Sequence, residues 1–230
     1  MRRSVTPIPV GTLKRAARGS RRRALRGYHT ARFILGGVER VVGVNTSPAV
    51  KLADLGIADV SREDYEPSGW LDLRRILRPR EVRPGEVFLD LGSGKGRILL
   101  EAARYPFRRV IGVELSPELN AIARANIEAH ANRLRCREIE LVTCDVVDYQ
   151  VPDDVTVAYV YNAFGAAVFE AALARLIESL DRRPRRLRLI YRNALEHDAV
   201  MRTGRFRELR VAPGLRPSLS IRMYGAGPGV

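Results

Sequence analysis

The chain has 230 residues, which fits one domain with a modest appendage, and is 46% hydrophobic, enough for a packed core. No apolar run approaches the ~18 residues of a membrane span, and the basic N-terminus holds no stretch like a signal peptide, so a cytoplasmic location is expected. The net charge is +14, and the first thirty residues carry nine Lys/Arg and no acid. Such a tail suits nucleic acid or an anionic surface. Abundant Arg, Ala, Gly and Val beside only three lysines is equally what a GC-rich bacterial genome produces. Cys136 and Cys144 are too few for a disulfide framework and lack zinc-site spacing, so reduced thiols and no metal are expected.

In chain order, residues 1–27 mix Pro, Gly, Ser and Arg without periodicity and read as a flexible basic arm. Apolar spacing predicts a short helix from Tyr28 to about Val44 and another over Ser68–Leu77, where Trp70, Leu73, Ile76 and Leu77 recur. Pro79 and Pro84 then break the chain, giving a helical extension over 28–83 and a main domain over 84–230. Within that domain, strands are expected at Glu86–Leu91, Arg109–Leu115, Ile139–Cys144, Thr156–Tyr161 and Leu187–Tyr191. Between them lie helices at Gly96–Tyr105, Pro117–Leu134 and about Gly165–Leu180, the second opened by Ser116 as N-cap with Pro117 in the first position. Two further β-like runs, Phe206–Val211 and Ser218–Tyr224, close the chain. Strands alternating with helices specify an α/β fold: a doubly wound, mostly parallel sheet with helices on both faces.

The most informative segment is Phe88-Leu-Asp-Leu-Gly-Ser-Gly-Lys-Gly-Arg97, in which a strand meets three alternating glycines and a helix follows at once. Glycine lets the backbone turn tightly and approach a ligand, and the helix start offers free N–H groups to an anion. A phosphate-binding P-loop is excluded because Gly96, not Ser or Thr, follows Lys95. The dinucleotide pattern fails as well: Arg97 stands where its third glycine belongs, and Asp90 lies inside the loop.

The pattern that remains, acidic-x-Gly-x-Gly-x-Gly, resembles the first motif of class I S-adenosylmethionine (SAM)-dependent methyltransferases. The resemblance covers about Tyr65 to Tyr191. It is strongest to small bacterial methyltransferases with a Gly-Lys-Gly-Arg loop, through Tyr65-Glu66-Pro67, Tyr161-Asn-Ala-Phe-Gly165 and Tyr191-Arg-Asn193. Ala163 departs from the family's usual proline. The Asn-Ala-Phe-Gly turn also looks like that of non-SET nucleosomal lysine methyltransferases, and the Gly-x-Gly-Arg helix start like that of lysine methyltransferases of ATP synthase subunits. The resemblance implies SAM as cofactor, held by Asp90, Gly92, Ser93, Gly94, Lys95 and Gly96. It further implies Glu114 with Leu115 at the ribose, Asp145 with Val146 at the adenine, and Asn162 beside the methyl donor.

The catalytic candidates are Asn162, whose amide oxygen can orient an amine, and Tyr161, whose alternative role is packing. Phe164 can wall the pocket, and Tyr65 and Trp70 can cover the cofactor, although Trp70 also has core spacing. Glu66 reads as a base or as an arginine's partner, Arg97 as an ion-pair partner, and Lys95 as meeting the SAM carboxylate or solvent. A protein lysine is the favoured acceptor. RNA is an alternative, motivated by the arm and the arginines between Arg182 and Arg192, and a small molecule is a third. A SAM-binding scaffold is the non-enzyme alternative. The acceptor and the oligomeric state are not specified by the sequence.

Overall fold

The computed structural model describes residues 39, 43–47, 49–56, 65–161 and 164–229. The chain divides into two compact units, residues 1–43 and 44–230, and every element below belongs to the second. The arm expected at 1–27, most of the helix expected at 28–44, and Asn162 lie outside the described residues.

Seven strands form one sheet: β1 (Val87–Leu91), β2 (Arg109–Glu114), β3 (Glu138–Thr143), β4 (Val155–Tyr161), β5 (Leu187–Arg192), β6 (Arg207–Ala212) and β7 (Ile221–Ala226). Their order is β3-β2-β1-β4-β5-β7-β6. The first five are parallel, and β7 inserts antiparallel between β5 and β6. This is the doubly wound, mostly parallel sheet that the element pattern predicts. Every residue of central β1 is buried, because a parallel strand covered on both faces needs a continuous apolar run.

Among the described residues five helices accompany the sheet: α1 (Asp72–Ile76), α2 (Arg97–Ala102), α3 (Pro117–His130), α4 (Ala166–Arg182) and α5 (His197–Arg202). Ser116 caps α3 as expected, its Oγ accepting from the Leu119 N–H at 3.1 Å. The helix stops at His130 rather than Leu134, and a 3-10 turn at Ala131–Arg133 follows. The helix expected over Ser68–Leu77 shortens to α1, because Asp72 folds back to accept from the Gly69 N–H at 2.6 Å.

Side chains alternate between two cores, one on each face of the sheet. Val87, Leu89 and Leu91 pack with Phe169, Leu173 and Leu176 of α4. Phe88 and Val110 pack on the other face with Leu73 and Ile76 of α1 and Ile98 and Leu99 of α2. Val44, Leu77 and Val82 are buried in this second core, so residues ahead of position 84 share the main domain's interior. At ~1.5–3 kcal/mol per fully buried large aliphatic side chain, that attachment is strong.

Candidate functional site

The strand order reverses between β1 and β4, so a crevice opens beyond their C-terminal ends, where ligands of such sheets bind. The loop after β1 forms one wall. Gly92 and Ser93 both donate their N–H to the Val113 carbonyl, at 2.9 and 3.0 Å, tying the loop to β2. Gly94 and Gly96 take φ values of +53° and +79°, which only glycine adopts cheaply. A Cβ on Gly96 would lie 3.0 Å from that of Ala123, and one on Gly94 only 2.2 Å from the Tyr65 ring. Alternating glycines thus let α2 approach α3 beneath the loop and let Tyr65 rest upon it.

Glu114, at the end of β2, binds the loop directly: one oxygen accepts from the Gly94 N–H at 2.8 Å, the other from the Ser116 N–H at 2.9 Å. Burial nevertheless raises its pKa, against the relief those donors give. Asp90 is buried as well, and desolvation, reinforced by the Glu114 carboxylate, holds its pKa well above the usual range. Two carboxylates therefore line one end of the crevice in surroundings that disfavour their charge.

The other loop residues are placed as follows. Lys95 is buried, with Nζ 5.3 Å from the Tyr65 ring centroid, so the solvent-facing alternative does not hold. Ser93 is buried against Gly112, and its Oγ has no hydrogen-bond partner among the described residues. Leu115 is half-buried beside Glu114. Asp145, beyond β3, uses one oxygen to accept from the Val147 N–H at 3.0 Å, the role of a turn residue, while Val146 is buried in the first core.

A strap from the N-terminal side crosses the loop, and its anchors were not all visible in the sequence. Asn126 of α3 accepts from the Asn45 N–H at 2.7 Å and donates to the carbonyls of Asn45 and Lys95 at 3.0 and 2.9 Å. Arg97, expected as an ion-pair partner, serves as a hydrogen-bonding hub for the strap. It is buried and donates to Thr46 Oγ1, Ser47 Oγ and the Ser68 carbonyl, at 2.9, 2.9 and 2.6 Å. Its guanidinium also lies 4.9 Å from the ring centroid of Trp70, which is half-buried against the second core. The Tyr65 hydroxyl donates to the Thr46 carbonyl at 2.8 Å. Asparagine, threonine and arginine carry no motif here, so only their long-range contacts reveal the role.

The opposite wall is the end of β4. Tyr161 packs against the second core and donates its hydroxyl to Glu66 at 3.2 Å. The Arg192 guanidinium stacks on its ring at 3.8 Å, and Arg192 in turn pairs with buried Asp72 at 2.5 Å. Burial raises the Tyr161 pKa despite Arg192, so Tyr161 is a phenol and a donor at neutral pH. Phe164, beyond the strand, is buried in the first core.

Comparison with known proteins agrees with this architecture. Residues 88–183 match the methyltransferase domain family. A protein-lysine N-methyltransferase of Saccharolobus islandicus is 37% identical over 65 residues, 28% of this chain and 40% of that protein. Ribosomal RNA small subunit methyltransferase A of Thermobifida fusca is 28% identical over 158 residues, 66% of this chain and 50% of its own. The chain thus spans half or less of these curated relatives. TrmN from Thermus thermophilus shares the fold, with a TM-score of 0.51 and 19% identity over 68% of this chain and 48% of that one.

Proposed function

We propose, for a chain that belongs to the class I SAM-dependent methyltransferases, that the methyl acceptor is a protein lysine amine. The cofactor fits the residues of the crevice. Asp90 and Glu114 are buried carboxylates held above their ordinary pKa, and a ligand bearing positive charge and hydroxyl donors relieves both. On this reading Glu114 accepts the ribose hydroxyls, the loop from Gly92 to Gly96 with Lys95 receives the amino-acid end, and Asp145 and Val146 border the adenine. SAM supplies a sulfonium-bound methyl: transfer breaks the S–C bond, leaves its electron pair on sulfur and forms an N–C bond to an amine that has lost one proton. The protein's task is then to exclude water and hold the acceptor in line.

The observation that carries the lysine reading is the 37% identity to a protein-lysine methyltransferase. The RNA reading has its own support in the ribosomal RNA relative. Against it, four of the six arginines between Arg182 and Arg192 are engaged within the protein. Arg182 pairs with Asp153 and Arg188 with Glu86, Arg192 pairs with Asp72, and Arg185 donates to the carbonyls of Val155, Ser179 and Arg183. The test is to incubate the enzyme with tritiated SAM and cell extract, then separate protein, RNA and small molecules. Label recovered as methyl-lysine is the expected result. Label confined to RNA or to small molecules would overturn the assignment.

A further inference from the structure

We infer that Glu66 is the acceptor-binding residue, a fixed carboxylate that receives the incoming ammonium, and this rests on the lysine reading above. Tyr65 and Glu66 are adjacent on the strap and reach opposite walls of the crevice. The Tyr65 ring sits on Gly94 of the cofactor loop, while the Glu66 carboxylate accepts from the Tyr161 hydroxyl at the end of β4. The dipeptide spans the gap in which donor methyl and acceptor nitrogen must meet.

The support for Glu66 is built in layers. Glu66 itself is exposed, as a group that meets a substrate must be. Its partner Tyr161 is held by the stacked guanidinium of Arg192, and Arg192 is fixed by Asp72, both of them 5% exposed. An exposed carboxylate normally samples many rotamers, and here a buried cation and a phenol set its position. Tyr161 as a neutral phenol donates to one carboxylate oxygen of Glu66 and leaves lone pairs for an ammonium. The arrangement selects a cationic acceptor over a phosphate backbone. The acceptor's ammonium must shed one proton before its nitrogen can attack, and the open rim beside Glu66 passes that proton to solvent.

Three variants test the assignment: Glu66→Gln, Glu66→Asp and Tyr161→Phe. Glutamine keeps the shape and the hydrogen bond from Tyr161 and removes only the charge. Each variant is first titrated with SAM, where affinity within about twofold of the parent protein is expected. Each is then assayed for tritium transfer from SAM into lysine of total extract protein, from pH 6.5 to 9.5. Loss of the charge should lower the rate at least tenfold in Glu66→Gln near neutral pH, with partial recovery in Glu66→Asp and a smaller loss in Tyr161→Phe. The deficit of Glu66→Gln should narrow towards pH 9.5, where more acceptor arrives as free amine. Undiminished lysine labelling by Glu66→Gln overturns the inference alone, and so does a SAM affinity that falls with the charge. Absence of lysine label in the parent protein overturns the lysine reading and this inference together.

Discussion

Replacing Glu101 by glutamine isolates a titration on which the acceptor wall depends. Glu101 lies on α2, is 5% exposed, and accepts from the N–H groups of Leu73 and Arg74 at 3.4 and 3.1 Å, in the first turn of α1. It thus holds the helix that carries Asp72, and through Asp72 it supports Arg192 and Tyr161. Burial pushes its pKa from 4.5 up to about 8, despite the relief of those two donors. A folded-state pKa above the unfolded one means that the native protein binds the proton more tightly. Stability from this group is therefore fully present below pH 4.5 and is lost as the pH rises towards 8. At ~1.4 kcal/mol per pH unit, the loss amounts to about 5 kcal/mol over that window. Glutamine preserves the volume and an acceptor oxygen but does not titrate. The stability of the parent protein minus that of Glu101→Gln should then fall by up to ~5 kcal/mol between pH 4.5 and 8 and flatten beyond. Urea denaturation followed by circular dichroism, repeated from pH 5 to 9, reads this difference, since all other titrations cancel. A difference constant within ~0.5 kcal/mol would refute the reasoning and show that the α1 donors keep Glu101 ionised throughout.

Three other substitutions probe the crevice. Glu114→Ala should weaken SAM binding at least ~100-fold by calorimetry, from the loss of two charge-assisted hydrogen bonds of ~1.5–3 kcal/mol each; unchanged affinity would sink the ribose assignment. Gly94→Ala forces a left-handed alanine, at ~1–2 kcal/mol, and puts its methyl into the Tyr65 ring. Its melting temperature should drop by several degrees, and Tyr65→Ala in the same chain should restore part of the loss; strict additivity would show that the ring does not sit on the loop. Asp72→Asn strips the buried Arg192 of its counter-charge and should cost ~3–5 kcal/mol in denaturant unfolding, whereas a cost below ~1 kcal/mol would mean that the pair does not anchor Tyr161.

The parallel core was legible because its strands are short apolar runs punctuated by loops, and the structure moves their ends by a residue or two. The glycine loop was legible for a related reason: positive φ at Gly92, Gly94 and Gly96 leaves glycine as the only inexpensive choice. Helix α5 was not legible. It has six residues, HDAVMR, of which only Ala199 and Val200 are buried, too few to give a helical period. Nor could the runs near the C-terminus disclose that β7 inserts beside β5, because that order depends on which strand meets the open sheet edge. The site divides the same way. Asp90 and Glu114 lie at fixed spacing from the glycines, whereas Asn126 reaches Asn45 across 81 positions and Arg97 reaches Thr46 across 51.

Charge is arranged differently in space than along the chain, and the difference bears on function. Arginine counted along the chain suggests a polyanion-binding surface, but counted in space much of it is internal wiring. Arg108 and Arg109 converge on Asp154, Arg210 grips Glu81, Arg222 pairs with Glu208, and Arg205 with Asp181. Exposed pairs of this kind contribute little stability each, ~0–1 kcal/mol, and offset positive charge only locally. Arg192 differs in being buried, with Asp72 below and the Tyr161 ring above. A cation so placed does not attract a polyanion from solution. It shapes the rim on which Glu66 stands, and there the exposed charge is negative. Acceptor choice on this reading is set by one carboxylate at the crevice mouth.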